Sequence, residues 1–304
     1  SDVARYPLSS PGEYTQGAGS VSLLLRKRPR LLAFEQIYGS FTRDENDFFR
    51  PTGAKTAVVN GKHSNQCYLD AMTGAFDSFA RRAEKKGIIK LDREKDDCVT
   101  DHIDHLLFHI PYPRMVEYAS ASLFRHDWKK SSGRVQQMER EIGPEPKMQD
   151  CRDAAEHQAA ESGYARRFSK SPSFLQTFNE KVSGTTALSR RIGNIYTGSI
   201  YLGLASLLET KRLKPGQRLG FGAYGSGCSA LFFSAIVQHQ AADVPSLNLM
   251  QKLDSRKQIS LKDYEMLHEQ KAEKSIIKPH EEFVFAGMDS QGYRHYEYVT
   301  SAIE

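Results

Sequence analysis

The chain contains 304 residues with a formal net charge of +5 at pH 7, and 39% of its residues are hydrophobic. These values are typical of a soluble globular protein that buries a substantial core, as one large domain or two ordinary ones. No apolar run approaches the roughly 18 to 20 residues of a membrane helix, and the first residues do not resemble a signal peptide. Four cysteines without a CxxC pair disfavour a disulfide scaffold or a structural zinc site and favour the cytoplasm.

The positive charge is densest in three short clusters, at residues 25–30, 81–86 and 129–130. The simplest interpretation is solvated surface. The functional alternative is attraction to an anionic partner, either a phosphate-bearing cofactor or an acidic carrier protein. Nucleic acid is disfavoured as a partner because the sequence has no basic motif interleaved with aromatic residues.

The first part of the chain predicts two strands and a long helix. Residues 17–25 (GAGSVSLLL) are typical of a strand, and residues 103–110 (IDHLLFHI) of a buried strand halted by Pro111 and Pro113. Residues 64–86, which lie between them, have helical spacing. Five residues of that helix share one apolar face: Tyr68, Met72, Ala75, Phe76 and Phe79.

The later part alternates between polar and apolar segments. Residues 129–173 are rich in charged and polar residues, which predicts a peripheral excursion of exposed helix and loop. The following segments predict a buried helix at 195–208, a strand at 218–224, a buried segment at 229–237, a polar link at 252–278, and a strand pair at 282–286 and 293–299. Alternating strands and helices indicate an α/β fold.

His109 is the first candidate site residue. It follows the predicted strand and precedes the proline-bounded turn. An isolated histidine in this position is usually a satisfied core residue, yet the end of a strand is where open α/β sheets place their sites. A neutral imidazole there can act as a general acid or base near pH 7.

Residues 193–199 (GNIYTGS) form the second candidate segment, directly before the long apolar helix. The simplest interpretation is a helix start capped by Thr197 or Ser199. The functional interpretation uses the side-chain amide of Asn194 to hold a carbonyl oxygen.

Residues 221–229 (FGAYGSGCS) form the third candidate segment. Gly225 and Gly227 let the backbone approach a ligand closely, and free N–H groups in such a loop can stabilise an oxyanion. The spacing matches neither a Walker loop nor a GxSxG nucleophile elbow.

Taken together, these segments resemble the 3-hydroxy-3-methylglutaryl-CoA synthase family, a branch of the thiolase superfamily. The resemblance extends from residue 1 to about residue 237. Its segments are SDVARYPLSS, EYTQGAGSVSLLL, NDFFRPTG, NQCYLDAM, LLFHIPYPRM, GNIYTGSIYLGLASLL and FGAYGSGCSALFFS.

The resemblance implies roles for individual residues. His109 matches the family's active-site histidine, which contacts the acetoacetyl carbonyl. Arg114 falls where the family often has a lysine near the cofactor's phosphates. The implied substrate-binding residues are Asn194, Ser226, Thr15, Tyr196 and Gly225, and two acidic residues, Asp2 and Asp47, match positions near the site.

The resemblance also implies a missing part. In this family the nucleophilic cysteine and the glutamate that serves as general acid and base precede the SDVARY segment, and none of the four cysteines here matches the nucleophile's motif. The chain alone is therefore expected to be inactive. The missing part was either cut from the chain or belongs to a partner polypeptide.

The implied fold is a five-layered αβαβα thiolase-like α/β fold, in which residues 1–35 end the first half and residues 36–304 form the second. The implied assembly is a homodimer in the cytoplasm, with no nucleic-acid or membrane partner.

The implied reaction condenses an acetyl-enzyme with an acetoacetyl thioester, and no permanently bound cofactor is expected. Members in isoprenoid metabolism use coenzyme A thioesters, whereas a polyketide β-branching group takes acetoacetyl from the phosphopantetheine of an acyl carrier protein. The basic surface of Arg114, Arg125, Lys129 and Lys130 suits either carrier, and coenzyme A is favoured as the commoner one.

Two rival interpretations assign the chain to other functional classes. The chain could be a non-catalytic or split-enzyme partner subunit. It could also be a zinc protein built on His102, His105 and His109, although these residues lie in or beside a predicted strand with no cysteine close by.

Overall fold

The computed structural model describes residues 2–54, 56–244, 246–272, 276 and 278–300, without the side chains of Asp2 and Arg93. The chain divides into two compact units, Ser1–Asp254 and Ser255–Glu304. In the first unit the strands are β1 (Asp2–Val3), β2 (Ala18–Gly19), β3 (Leu32–Thr42), β4 (His105–Phe108), β5 (Arg218–Gly225) and β6 (Ser229–Val237). Its helices are α1 (Gly61–Lys85), α2 (Pro113–Trp128), α3 (Ser132–Ile142), α4 (Ala154–Phe168), α5 (Pro172–Lys181), α6 (Ser189–Ile192), α7 (Ser199–Thr210) and α8 (Leu249–Asp254).

A four-stranded sheet of order β3-β6-β5-β4 organises the first unit. Strand β4 runs parallel to β5, and the other neighbours are antiparallel. Side chains alternate across β4, so Leu106 and Phe108 join one buried cluster while Leu107 joins another. The first cluster includes residues of α1 and α2, and the second includes residues of α7. Helices therefore cover both faces of the sheet, as in other α/β folds.

The long predicted helix is confirmed as α1. Asn60 caps it by accepting the backbone N–H of His63. All five residues of the predicted apolar face are buried. The predicted strands at 103–110 and 218–224 are confirmed as β4 and β5, and the buried segment at 229–237 is strand β6.

The predicted strand at residues 17–25 is wrong for most of its length, because only Ala18–Gly19 is a strand and it pairs with β1. Leu23, Leu24 and Leu25 are exposed. A strand needs a neighbouring ladder for its backbone groups, and the described residues provide none beside 20–25.

The excursion at 129–173 is less peripheral than its composition predicts. Helices α3 and α4 bury Met138, Tyr164 and Phe168. The Phe168 ring lies 5.7 Å from that of Trp128 and 5.5 Å from that of Phe174. Three well-placed apolar residues thus attach two otherwise polar helices to the core.

The second unit contains helix α9 (Leu261–His268) and an antiparallel hairpin of β7 (Glu282–Met288) and β8 (Arg294–Val299). The hairpin confirms the predicted strand pair. Within the predicted polar link, residues 273–275 and 277 lie outside the described residues. Among the helices that the structure describes, none has the length and apolar character needed to cross a membrane.

Candidate functional site

A cavity of about 550 Å³ lies in the first unit, at the carboxyl ends of the parallel strands β4 and β5. Open α/β sheets bind ligands at this edge. His109 directly follows β4, and Ser226 directly follows β5. Five of the residues predicted from the sequence line this one cavity: Thr15, His109, Asn194, Tyr196 and Ser226.

The His109 ring is held by Ser199, the first residue of α7. The Oγ of Ser199 lies 2.9 Å from His109 Nδ1 and also accepts the backbone N–H of Ile110 at 2.9 Å. Burial lowers the pKa of His109 to about 4, and a hydrogen bond to the backbone of Tyr196 offsets part of that shift. The imidazole is therefore neutral at pH 7.

Two tyrosines and an aspartate enclose the histidine. The Tyr68 hydroxyl donates to the His109 carbonyl at 2.7 Å, and the Tyr68 and Tyr224 rings lie 4.9 Å apart. The Tyr224 hydroxyl donates to Asp47 Oδ2 at 2.5 Å. Burial and the Asp47 carboxylate both raise the pKa of Tyr224, so its hydroxyl keeps its proton.

Asp47 lies beside the site, as the resemblance implies. Its side chain is 2% exposed and lines the cavity. Its Oδ1 atom has no hydrogen-bond partner among the described residues, so a donor group on a ligand would satisfy it. The side chain of Asp2, the other acidic residue expected here, lies outside what the structure describes.

Asn194 is buried and presents a donor to the cavity. Its backbone N–H donates to the Thr15 carbonyl at 2.9 Å, and its Oδ1 accepts the Tyr196 N–H at 2.8 Å. Among the described residues, the hydrogen bond of its Nδ2 is a long one, 3.4 Å, to the Tyr6 hydroxyl. The amide oxygen is therefore engaged within the protein, and the NH₂ group remains available to a carbonyl oxygen.

Two glycines allow the segment that carries Thr15 to lie against the segment that carries Asn194. A Cβ on Gly193 would lie 2.3 Å from the Gln16 carbonyl oxygen, and a Cβ on Gly17 would lie 2.3 Å from that of Ile192. Gly193 has φ 88° and ψ −163°, a conformation that is essentially restricted to glycine. Direct backbone contact, rather than side-chain packing, joins these two parts of the site.

Two predicted residues lie outside the cavity lining. Gly225 ends β5 beside Ser226. Arg114 lies in the first turn of α2, is exposed, and donates from Nε to the Tyr118 hydroxyl at 2.8 Å. Their predicted substrate and cofactor roles stay predictions.

Three of the four residues of the predicted basic surface pair with carboxylates of the chain itself, and the role of this surface toward a carrier stays a prediction. Arg125 pairs with Glu145 and with Glu161, the latter at 2.9 Å, and its side chain is only 13% exposed. Lys129 pairs with Glu145 at 2.6 Å, and Lys130 pairs with Asp77 at 2.9 Å. These residues stabilise the packing of the peripheral helices.

The cysteines show no activated thiol. Cys67, Cys98 and Cys228 are buried, and Cys151 is partly exposed. Burial raises the pKa of all four thiols, that of Cys98 to about 12. A nucleophilic cysteine usually has a lowered pKa, which agrees with the absence of the family's nucleophile motif.

Glu45, His63 and Cys67 are the one group of potential metal ligands that the described residues bring together, with ligand atoms within 4.8 Å. Glu45 pairs with His63 at 3.2 Å and with Arg43 at 2.6 Å. Arg43 also hydrogen-bonds Cys67. The guanidinium thus already supplies the positive charge there. His102, part of the alternative zinc site, instead meets Asp97 at 2.6 Å.

Sequence reasoning missed Ser199, Tyr68 and Tyr224 as site residues. Ser199 was a candidate helix cap, but the N-cap is Gly198 and no side chain caps α7. Tyr68 was part of an apolar helix face. A polar hydroxyl within that face was the available signal, because a buried tyrosine usually directs its hydroxyl to a partner.

Comparisons with known proteins show which family this chain resembles. A family described as "Hydroxymethylglutaryl-coenzyme A synthase C terminal" matches residues 32–285. A hydroxymethylglutaryl-CoA synthase of Haloferax volcanii is 32% identical, over 98% of this chain and 66% of the relative. One from Enterococcus faecalis is 31% identical, over 88% of this chain and 55% of the relative. The chain thus spans between half and two thirds of these relatives.

Solved structures give the same result. MvaS in complex with 3-hydroxy-3-methylglutaryl coenzyme A superposes with a TM-score of 0.76 at 30% identity, over 97% of this chain and 65% of that one. An HMG-CoA synthase complexed with CoA gives 0.63 at 25%, over 98% and 64%. A curacin-pathway HMG synthase in complex with apo donor-ACP gives 0.59 at 19%, over 89% and 59%, a likeness of fold alone. The mixed α/β, thiolase-like fold is confirmed.

Proposed function

The chain belongs to the hydroxymethylglutaryl-CoA synthase family, and we propose that it carries the acetoacetyl-binding side of a 3-hydroxy-3-methylglutaryl thioester synthase. One observation supports this most directly. His109, Asn194 and Ser226 come from three distant segments and line a single cavity at the ends of β4 and β5. The family resemblance assigns substrate contacts to these same three residues.

In the proposed reaction, a cysteine thiol displaces CoA from acetyl-CoA and forms an enzyme thioester. A glutamate removes a methyl proton, and the resulting enolate carbon attacks C3 of an acetoacetyl thioester. The C3 carbonyl oxygen takes up a proton and becomes a hydroxyl. Water then cleaves the enzyme thioester, which restores the thiol and releases the 3-hydroxy-3-methylglutaryl thioester.

The residues of this chain serve the acceptor substrate. A neutral His109 ring can donate a hydrogen bond to the C3 carbonyl oxygen and stabilise the negative charge that develops there. The Asn194 NH₂ group offers a second donor, since its amide oxygen already binds the Tyr196 N–H. Ser226 lies beside them at the end of β5.

The cysteine and the glutamate are proposed to come from polypeptide outside these 304 residues, which makes the chain alone inactive. The raised pKa values of all four thiols support this, because a thiol rather than a thiolate would predominate at neutral pH.

Coenzyme A is the proposed acetoacetyl carrier. Two solved relatives at 25% identity or more are complexes with CoA or its hydroxymethylglutaryl thioester. A higher kcat/KM with acetoacetyl-carrier protein than with acetoacetyl-CoA would instead favour the polyketide β-branching alternative.

The test is condensation of acetyl-CoA with acetoacetyl-CoA by the protein expressed from its genomic reading frame, beside the 304-residue chain alone. His109→Ala in the complete protein should reduce condensation by about 10²–10⁴-fold while acetylation of the cysteine continues. Unchanged turnover would remove the role of His109. Condensation by the chain alone would contradict the proposed division of the site.

We further propose a cytoplasmic homodimer, with residues 1–35 as the end of a first thiolase-like half and residues 36–304 as the second half. Sedimentation equilibrium of the complete protein tests the oligomeric state. The boundary at residues 35 and 36 falls within β3 (Leu32–Thr42), so no exposed linker separates the two proposed halves at that point.

A further inference from the structure

We propose that Ser199 is a positioning residue that fixes the tautomer of His109, with the proton on Nε2 and with Nδ1 unprotonated. The tautomer is a property of the folded chain. The inference rests on the proposed function only for the use that the reaction makes of the Nε2 proton.

The hydrogen bonds of Ser199 determine which nitrogen is protonated. Its side chain is fully buried, and its Oγ accepts the backbone N–H of Ile110 at 2.9 Å. The hydroxyl proton needs an acceptor, and in the part of the chain that the structure describes the one within hydrogen-bonding distance is His109 Nδ1, at 2.9 Å. Ser199 therefore donates, and Nδ1 accepts.

The opposite tautomer leaves a group unsatisfied. With a proton on Nδ1, the ring would donate to Ser199 Oγ, and the serine hydroxyl would have no acceptor. A buried unsatisfied donor costs about 1–3 kcal/mol. With Nδ1 accepting instead, the one ring proton lies on Nε2, where it can be donated to a substrate carbonyl in the cavity.

The surrounding backbone keeps the serine and the histidine in register. The His109 N–H donates to the Gly222 carbonyl at 2.8 Å, and the His109 carbonyl accepts from the Tyr68 hydroxyl at 2.7 Å. Ser199 Oγ accepts the backbone N–H of Ile110, the residue after His109, so this hydrogen bond joins the start of α7 to the end of β4 beside the His109 ring. Neither hydrogen-bonding group can shift without breaking a backbone contact.

The selected tautomer suits the acceptor carbonyl. A ring with Nε2–H can donate to the C3 carbonyl oxygen, whereas a ring protonated on Nδ1 would direct a nitrogen lone pair at that oxygen. Tautomer selection by a hydrogen bond to the second ring nitrogen is a general means of orienting a histidine. Ser199 would do this with a neutral hydroxyl, which leaves the imidazole uncharged.

The 304-residue chain, labelled with ¹⁵N-histidine, is suited to the test. Two-bond ¹⁵N–¹H spectra distinguish protonated from unprotonated ring nitrogens, and His109→Gln assigns the signals. The variants are Ser199→Ala, Ser199→Thr, which keeps a hydroxyl, and the matched control Ser206→Ala. Ser206 is also buried in α7 and accepts a backbone N–H, that of Leu188 at 2.9 Å, but its described hydrogen bonds do not involve His109.

At pH 7 the unaltered chain should show His109 protonated on Nε2. Ser199→Ala should raise the share of the Nδ1-protonated form about fivefold, the equivalent of roughly 1 kcal/mol for a neutral hydrogen bond. Ser199→Thr and Ser206→Ala should leave the ratio unchanged. Protonation on Nδ1 in the unaltered chain overturns the proposal, and so does an unchanged ratio in Ser199→Ala.

If Ser199→Ala does not fold, the proposal can still be tested, because the unaltered chain and Ser199→Thr report the tautomer directly. No turnover is needed for this measurement. Failure of the condensing activity would therefore appear only in the substrate assay, while failure of the tautomer assignment would appear only in the spectra.

Discussion

Substituting Gly193 by alanine should loosen the site by separating two backbone segments. The added Cβ would lie 2.3 Å from the Gln16 carbonyl oxygen, where real Cβ atoms are not found. The φ of 88° with ψ −163° adds strain of about 1–3 kcal/mol for any residue other than glycine. Relieving the overlap adds roughly 1–3 kcal/mol. The expected loss in the free energy of unfolding is therefore about 2–6 kcal/mol.

Urea denaturation followed by circular dichroism measures this loss, with Gly163→Ala as the control. Gly163 lies within α4, and a Cβ there would approach only the end of the Arg167 side chain, at 3.7 Å. Alanine should stabilise that helix by about 0.5–1 kcal/mol. A Gly193→Ala variant as stable as the unaltered chain would refute the close-approach argument, and so would a Gly163→Ala variant that is the less stable of the two.

Three further predictions concern the surroundings of the site. Burial lowers the pKa of His109 to about 4 in the folded chain, against 6.5 for an unperturbed histidine. Between these two values the unfolded chain binds a proton that the folded chain does not, so the free energy of unfolding should fall as the pH drops through this range. His109→Gln should make the free energy of unfolding less dependent on pH there. Tyr68→Phe removes the 2.7 Å hydrogen bond to the His109 carbonyl and should lower the free energy of unfolding by about 1–3 kcal/mol, measured by thermal denaturation. An unchanged free energy of unfolding would contradict this and would mean that water satisfies the carbonyl. Arg125→Ala removes the ion-pair partner of Glu161 and one of the two partners of Glu145, and should cost about 1–3 kcal/mol. The more exposed Lys130→Ala should stay within about 0.5 kcal/mol, and a several-fold rise in KM for acetoacetyl-CoA in Lys130→Ala would instead support the basic-surface hypothesis.

Periodicity was a reliable guide where one side of an element is buried. The helical spacing of residues 64–86 predicted α1 because its apolar face packs on the sheet. The apolar run at 103–110 predicted β4 for a similar reason. The same reasoning failed for residues 20–25, where the apolar pattern is present but the described chain supplies no strand beyond the short pairing of Ala18–Gly19 with β1.

Composition misjudged the peripheral helices. Residues 129–173 are polar overall, yet Tyr164 and Phe168 are enough to anchor α4 in the core. The charges of Arg125 and Lys129 suggested a free basic surface, but both pair with Glu145. Charge counts do not show which charges meet, because pairing depends on distances between helices that are distant in sequence.

The sequence by itself indicated which segments line the cavity. His109 at a strand end, Asn194 beside a glycine and Ser226 in a glycine-rich loop all line the cavity. These signals are local, since each depends on a residue and its immediate neighbours. The family resemblance rests on the same short sequence segments.

Only the tertiary structure decided how those segments act together. Ser199, the first residue of α7, lies beside His109 Nδ1. Asp47, in the loop after β3, accepts the hydrogen bond of the Tyr224 hydroxyl. Neither contact leaves a trace in sequence spacing. Hydrogen bonds between residues so far apart in sequence form only when the sheet brings the ends of β4 and β5 together, and the burial that comes with this arrangement shifts the pKa values of His109 and Tyr224.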